Sequence, residues 1–326
     1  MLTFLFRRLI QAFFVMITIS VISFAIQGKL GDPVQQMVGT TVSPAERAHL
    51  RQELGLNESF TVQYWHFLKN AAHGNFGISY YYKKPVLDLI FERMPATLEL
   101  AFCAIILVAL FATPFGIYAA IRPRSILSRL IMAFSTLGLS VPIFIVAIFL
   151  VYVFSIQLHI APSFGRGHTI DVFGIWKSGL FTKSGLHHLM LPSITLAFAL
   201  MPIFIRLIRS EMMEVLHSEY IRFAWSKGLS TNRIYFVHAL KNTMLPVITI
   251  GGIQAGTLIA YTILTETIFQ WPGMGFLFID AVSRVDTPLI SAYLMVVGGI
   301  FVTTNTVVDL IYGLVNPTVK LENHGL

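Results

Sequence analysis

Six long apolar runs dominate this chain and decide what it can fold into before any motif is read. A helix of ~20 predominantly apolar residues crosses the roughly 30 Å hydrocarbon layer of a bilayer. The runs extend from Leu9 to Ile26, Ala96 to Ile121, Leu130 to Ile156, Leu189 to Ile208, Met244 to Phe269 and Leu289 to Val315. Prolines 114, 142, 192 and 202 interrupt them, which membrane helices tolerate when neighbouring groups re-satisfy the freed carbonyls. Composition agrees: 55% of the residues are hydrophobic and 12% charged. A soluble domain is roughly 45–50% apolar and about 25% charged, so too little polar surface is left here to coat a water-soluble globule. The expected class is an all-α polytopic membrane protein with six transmembrane helices. The first run is longer than a signal-peptide core, and Ser23-Phe24-Ala25 is a poor cleavage site, so an uncleaved span is expected.

The formal net charge is +7, and its placement decides its meaning. Arg7 and Arg8 precede the first run, and Arg122, Arg124 and Arg129 fill the turn after the second. Arg206, Arg209, Arg222, Lys227, Arg233 and Lys241 lie between the fourth and fifth runs, and Lys320 is in the tail. Basic excess in short loops marks the cytoplasmic side, so both termini are expected there. These residues flank apolar runs rather than interleave with aromatics on a soluble module, so no nucleic-acid partner is expected. The lone Cys103 excludes an internal disulfide and any cysteine-based zinc site.

Two intervening segments have readable local structure. In the long extracytoplasmic stretch, Ser43-Pro44-Ala45-Glu46 has the order of a helix start: N-cap, proline at the first position, an acid in the first turn. Helices are expected over 44–54 and 60–72, the latter amphipathic with Phe60, Tyr64, Trp65, Phe67 and Leu68, and packed on the membrane domain. The glycine-bearing stretch from Gln157 to His188 is expected to be irregular. The loop from about Gln270 to Pro288, which contains Trp271-Pro272-Gly273-Met274-Gly275, is expected to turn and dip back into the protein, since apolar irregular backbone needs cover.

Catalytic chemistry is not apparent. No G-x-x-x-x-G-K-[ST] run is present to cradle phosphates, and no H-E-x-x-H. His187-His188 has the wrong spacing for two ligands on one helical face. The chain is expected to be a non-enzymatic transport subunit that binds no cofactor or metal of its own.

The most informative segment runs from Glu219 through Tyr220, Arg222, Ala224, Lys227, Gly228 and Leu229 to Ser230, then His238, Lys241, Asn242 and Pro246. Physically it reads as a short amphipathic helix, a glycine stop with Gly228 left-handed, and Ser230 as the N-cap of a second helix entering the fifth run. Two short capped helices of this kind fit a groove on another protein.

Tyr220 to Ser230 and His238 to Pro246 resemble the "EAA" loop of ABC importer permeases, in the form found in the dipeptide, oligopeptide and nickel branch. Further resemblance lies in Pro95-Ala96-Thr97-Leu98-Glu99-Leu100, Pro162-Ser163-Phe164-Gly165, Glu266-Thr267-Ile268-Phe269, Pro272-Gly273-Met274-Gly275, Asp309-Leu310-Ile311-Tyr312 and Asn316-Pro317. The usual glutamate of the loop is Arg222 here, and the glycine-to-proline distance is longer than in sugar permeases, both as in the peptide and nickel branch. The resemblance implies the type I ABC importer permease fold. Its divisions would be an N-terminal transmembrane helix at 1–27, an extracytoplasmic segment at 28–95, a five-helix ABC type-1 domain at 96–315 with a coupling loop at 214–243, and a cytoplasmic tail at 316–326. It also implies a homologous second permease, two cytoplasmic ATPase subunits carrying ATP and magnesium, an extracytoplasmic substrate-binding protein and a bacterial inner-membrane location. ATPase-coupling residues would be Glu219, Tyr220, Arg222, Ala224, Lys227, Gly228, Leu229, His238 and Asn242. Gate or pathway candidates are Glu266, Pro272, Gly273, Gly275 and Asp309.

Glu99 and Glu266 are expected to anchor the outer ends of their spans. The lone Gly252-x-x-x-Gly256 pattern suits close helix contact and a glycine-lightened helix beside a pore equally well. An autonomous ion-coupled transporter is the alternative, but it would carry more intramembrane acids or inverted repeats. A non-transporting receptor or scaffold would show no vectorial flux.

Overall fold

The computed structural model describes residues 2–29, 34, 43–53, 56–172, 174 and 176–315. The expected tail 316–326, with Asn316, Pro317 and Lys320, lies outside the described residues. The chain falls into two compact units. One comprises Met1–Thr97, Asp171–Lys177 and Pro272–Thr303; the other comprises Leu98–Ile170, Ser178–Trp271 and Thr304–Leu326.

The first unit holds α1 (Leu2–Lys29), α2 (Pro44–Glu53) and α3 (Phe60–Ala72). It also holds the start of α4 (Val86–Ile121), most of a small ribbon of β1 (Ile170–Val172) and β2 (Trp176–Ser178), α10 (Met274–Ser283), and the first part of α11 (Thr287–Val315). Ser43 Oγ accepts the Glu46 N–H at 3.3 Å, so α2 starts on the expected cap. The aromatic stripe of α3 has no core of its own and closes on α1. Phe60, Tyr64 and Phe67 surround Phe24 at centroid distances of 5.0, 5.5 and 5.6 Å, and Tyr64 and Ser20 share a 2.7 Å hydrogen bond.

A polar clasp joins the segment before α4 to the turn between α10 and α11. Asp286 is buried and accepts from Ser79 Oγ and, at 3.3 Å, from the Tyr81 N–H. Tyr82 donates to Asp280 at 2.8 Å, and the Arg284 guanidinium lies 3.6 Å from the Tyr81 ring centroid. Val285 has φ +56°, a costly backbone for a β-branched residue that persists only where its surroundings over-determine it.

The second unit is built around α7 (Lys183–Leu216), which packs on α5 (Ile126–Ser140), α6 (Ile143–Gln157) and α9 (Thr231–Ile268). Thr182 starts α7 by accepting the Gly185 N–H at 2.9 Å. Small residues bring the helices close: a Cβ on Gly116 would lie 2.7 Å from Ile208, and one on Gly252 would overlap Val308 of α11. Close contact at the first glycine of the G-x-x-x-G pair is thus real.

Among the described residues, α1, α4, α7, α9 and α11 are long and apolar enough to cross a membrane, and the α5–α6 pair counts as a sixth span if taken together. The third span expected over 130–156, with Pro142 interrupting it, is the pair α5 and α6, bent by 109°. The break sits at Val141-Pro142. Proline crowds the residue before it out of the helical region, and Val141 is extended at φ −91°, ψ 119°. The other prolines do not break their helices; Pro192, Pro202 and Pro246 lie inside α7 and α9. The apolar loop after Trp271 is corrected, because most of it is the helix α10, with Met274, Gly275, Leu277 and Ala281 buried.

Two measurements check this packing. Gly252→Ala should destabilise the purified protein by about 1–3 kcal/mol through overpacking, read as a lowered melting midpoint in detergent. Val308→Ala should recover most of the loss, and an unchanged midpoint in the single variant would contradict the close approach. Burial, the hydrogen bond to Asp280 and that carboxylate's charge push the Tyr82 phenol up to about 12. A raised pKa favours the protonated form, so this contribution to stability is present below pH ~10 and lost as pH rises through about 12. The difference absorbance titration between wild type and Tyr82→Phe should show that late midpoint, and Asp280→Asn should move it down.

Candidate functional site

In the second unit, α7 ends at Leu216 and the short helix α8 (Glu219–Ser226) follows after a two-residue turn. Its inner face carries Ile221 and Ala224, both buried. The stop after it is a Schellman turn. Gly228 sits at φ +69°, its N–H reaches the Trp225 carbonyl at 2.9 Å, and the Leu229 N–H reaches that of Ala224 at 3.4 Å. Ser230 holds the extended N-cap conformation expected of it but makes no side-chain cap bond.

The second helix enters the fifth span as expected, although it is not a short one. The helix that starts at Thr231 passes through a π-helical stretch, Ile234–Ala239, and continues without a break as the fifth span to Ile268. Such wide turns are rare and concentrate at functional positions.

Two side-chain braces cross the elbow between α8 and α9. Asn242 Nδ2 donates to the Tyr220 hydroxyl at 2.6 Å, and the Trp225 and Tyr235 rings meet edge to face at 6.2 Å. Behind them, Thr243 donates to Met212 Sδ of α7 at 3.4 Å. The structure therefore brings the sequence-predicted loop residues together on one compact feature. On the outer face of α8, Phe223 is 60% exposed, Tyr220 and Trp225 are also exposed, and Lys227 Nζ lies 4.5 Å from the Phe223 centroid. Arg222 pairs with Glu219 at 2.8 Å on the surface, a contact worth little by itself. His238 Nε2 is buried with no hydrogen-bond partner among the described residues.

The gate candidates are not gathered on one unit. Glu266, fully buried in α9, belongs to the second unit, whereas Pro272, Gly273 and Gly275 lead into α10 in the first. Gly273 is the extended N-cap of α10, and the Met274 N–H donates to Thr97 Oγ1 at 2.8 Å. Asp309 lies on α11, but its side chain is outside those described.

Sequence reasoning missed Arg166. It makes a 2.7 Å ion pair with Glu99, the two side chains being 9% and 2% exposed. The Gly179 N–H donates to the same carboxylate oxygen at 3.2 Å, and the guanidinium lies 5.8 Å from the centroid of the buried Trp271 ring. Glu99, expected to anchor the outer end of its span, is held by this buried ion pair. The available signal was an arginine directly after the Pro-Ser-Phe-Gly run, since an intramembrane acid needs a cationic or hydrogen-bonding partner. Among the described residues, no three His, Cys, Asp or Glu side chains are grouped to hold a metal ion.

Comparison with known proteins agrees in both sequence and fold. Residues 112–321 match the family model "Binding-protein-dependent transport system inner membrane component". Residues 1–101 match the N-terminal model of the same systems. The dipeptide transport system permease protein DppB of Escherichia coli (strain K12) is 38% identical, over 98% of this chain and 99% of its own length. The oligopeptide transport system permease protein AppB of Bacillus subtilis (strain 168) is 35% identical, over 98% and 100%. A chain of the inward-facing MetNI methionine ABC transporter superposes with a TM-score of 0.55 at 16% identity, covering 70% of this chain and 96% of that one, a likeness of fold. The chain belongs to the family of binding-protein-dependent transport system inner membrane components.

Proposed function

We propose that this chain is one permease subunit of an ATP-driven importer and forms half of a translocation pathway for di- or oligopeptides or a related small solute. A homologous permease supplies the other half, two cytoplasmic ATPase subunits hold ATP and magnesium, and an extracytoplasmic binding protein delivers the solute. The peptide assignment rests on what the similar DppB and AppB proteins carry. The basic short loops support a topology with both termini and the elbow on the cytoplasmic side.

The single observation that carries the coupling role is the continuity of α9. A lever transmits displacement only if it is stiff, and α9 runs from Thr231 to Ile268 as one helix of 38 residues, roughly 57 Å at 1.5 Å per residue. Its lower end is clamped to α8 by the Gly228 turn and the two braces. The exposed aromatics of α8 offer apolar area that a groove on an ATPase subunit would bury. Movement of those subunits then drives α8 and α9 together and rocks the spans between outward and inward openings. In this reading Glu266, Pro272, Gly273, Gly275 and Asp309 belong to the gate or pathway.

Gly228→Pro removes an N–H that is bonded in the turn and demands a negative φ. Uptake by the assembled transporter should fall at least about tenfold, while the amount of chain in the membrane stays unchanged. Gly228→Ala keeps the N–H and bears only the left-handed backbone cost of about 1 kcal/mol, so it should lose less. Wild-type uptake by the proline variant would contradict the coupling role.

A further inference from the structure

In the second unit, a cavity of about 500 Å³ lies between α5 and α7, away from the elbow turn and the Glu99–Arg166 pair. Met132 and Leu139 of α5, with Ile203 and Leu207 of α7, give it an apolar wall. Arg206, Arg209 and Ser210 give it a polar end. Along α7 the order is apolar to cationic, from Ile203 to Ser210, a rise of roughly 10 Å. The cationic end is the one nearer α8.

Neither arginine makes an ion pair or hydrogen bond with any described residue, and Arg209 Nε is buried without a partner. Glu211 and Glu214 follow on α7 but pair with neither guanidinium. An arginine at the edge of a membrane span is costly unless an anion or the aqueous interface receives it. A free anion would satisfy the charge but leave the apolar wall uncovered. That wall is also open at its edge, where Leu139 is 45% exposed. The site therefore asks for one molecule with an anionic head and an apolar tail.

We propose that this cavity binds one anionic phospholipid, with its headgroup phosphate on Arg206 and Arg209 and its first acyl segment along Leu207, Ile203 and Leu139. Cationic pockets between helices near the cytoplasmic leaflet are suited to such headgroups. The lipid fills the gap between α5 and α7 and ties the packing of this pair to the anionic lipid content of the membrane. The site rests on the membrane-embedded fold and not on ATPase coupling, so its failure would leave the elbow reading untouched.

The test is native mass spectrometry of the full chain, with any subunits that co-purify, stripped of lipid and re-exposed to phosphatidylglycerol or phosphatidylcholine. The wild type should retain phosphatidylglycerol at least about tenfold better. The Arg206→Gln, Arg209→Gln double variant should lose that preference, and the corresponding double Lys variant should keep most of it. Millimolar inorganic phosphate or a free dipeptide should not displace the lipid. Equal retention of the two lipids by the wild type overturns the proposal without recourse to any variant. Displacement by phosphate or dipeptide also overturns it, making the cavity a soluble-anion site. Loss of the lipid when partner subunits are bound overturns it too, because the cavity is then a subunit contact.

Discussion

Hydrocarbon offers a backbone no hydrogen-bond partner, so every N–H and C=O at membrane depth must be satisfied within the protein. That requirement shapes this chain more than any side-chain contact does. It keeps α4, α7, α9 and α11 continuous, and it carries Pro192, Pro202 and Pro246 inside helices rather than at breaks. It also makes each departure from helix informative. The α5–α6 bend is one, and the π-helical stretch at the foot of α9 is another. With the rods fixed in this way, change can enter only at their ends. The elbow at Gly228 is such an end.

The elbow and the buried ion pair do opposite jobs within the same unit. At Gly228 a left-handed residue lets two helices meet in a tight, braced turn whose outer face is apolar and exposed. At Glu99, a carboxylate, a guanidinium and a backbone N–H satisfy one another where water is scarce. Removing one partner of a buried pair typically costs 3–5 kcal/mol, because the other is left uncompensated. One feature leaves an aromatic face exposed, whereas the other holds α4 to the loop before β1.

What could be read from the sequence was local. The apolar runs gave the spans, because length and lack of charge suffice to identify a membrane helix. Phe60–Ala72 was found at its observed boundaries, and Gly228 adopted its expected conformation, since both depend on neighbouring residues. The misses depended on position in space. Proline tolerance is decided by packing, so nothing in the sequence separated Pro142 from Pro192. Glu99 and Arg166 are 67 positions apart, and Ser79 and Asp286 are 207 apart; no periodicity links them. The helix after Gly273 was hidden because glycine and proline beside apolar residues suit a turn and a helix start alike.

The central claim is that the exposed face of α8 receives force from an ATP-hydrolysing subunit. The most direct measurement places a photo-reactive residue at Phe223, which is 60% exposed on α8, in the assembled transporter, with Phe102, 56% exposed on α4, as the control. Illumination should capture an ATPase subunit from position 223 and none from position 102. An intact, transport-competent complex that yields no such adduct from position 223 would contradict the account.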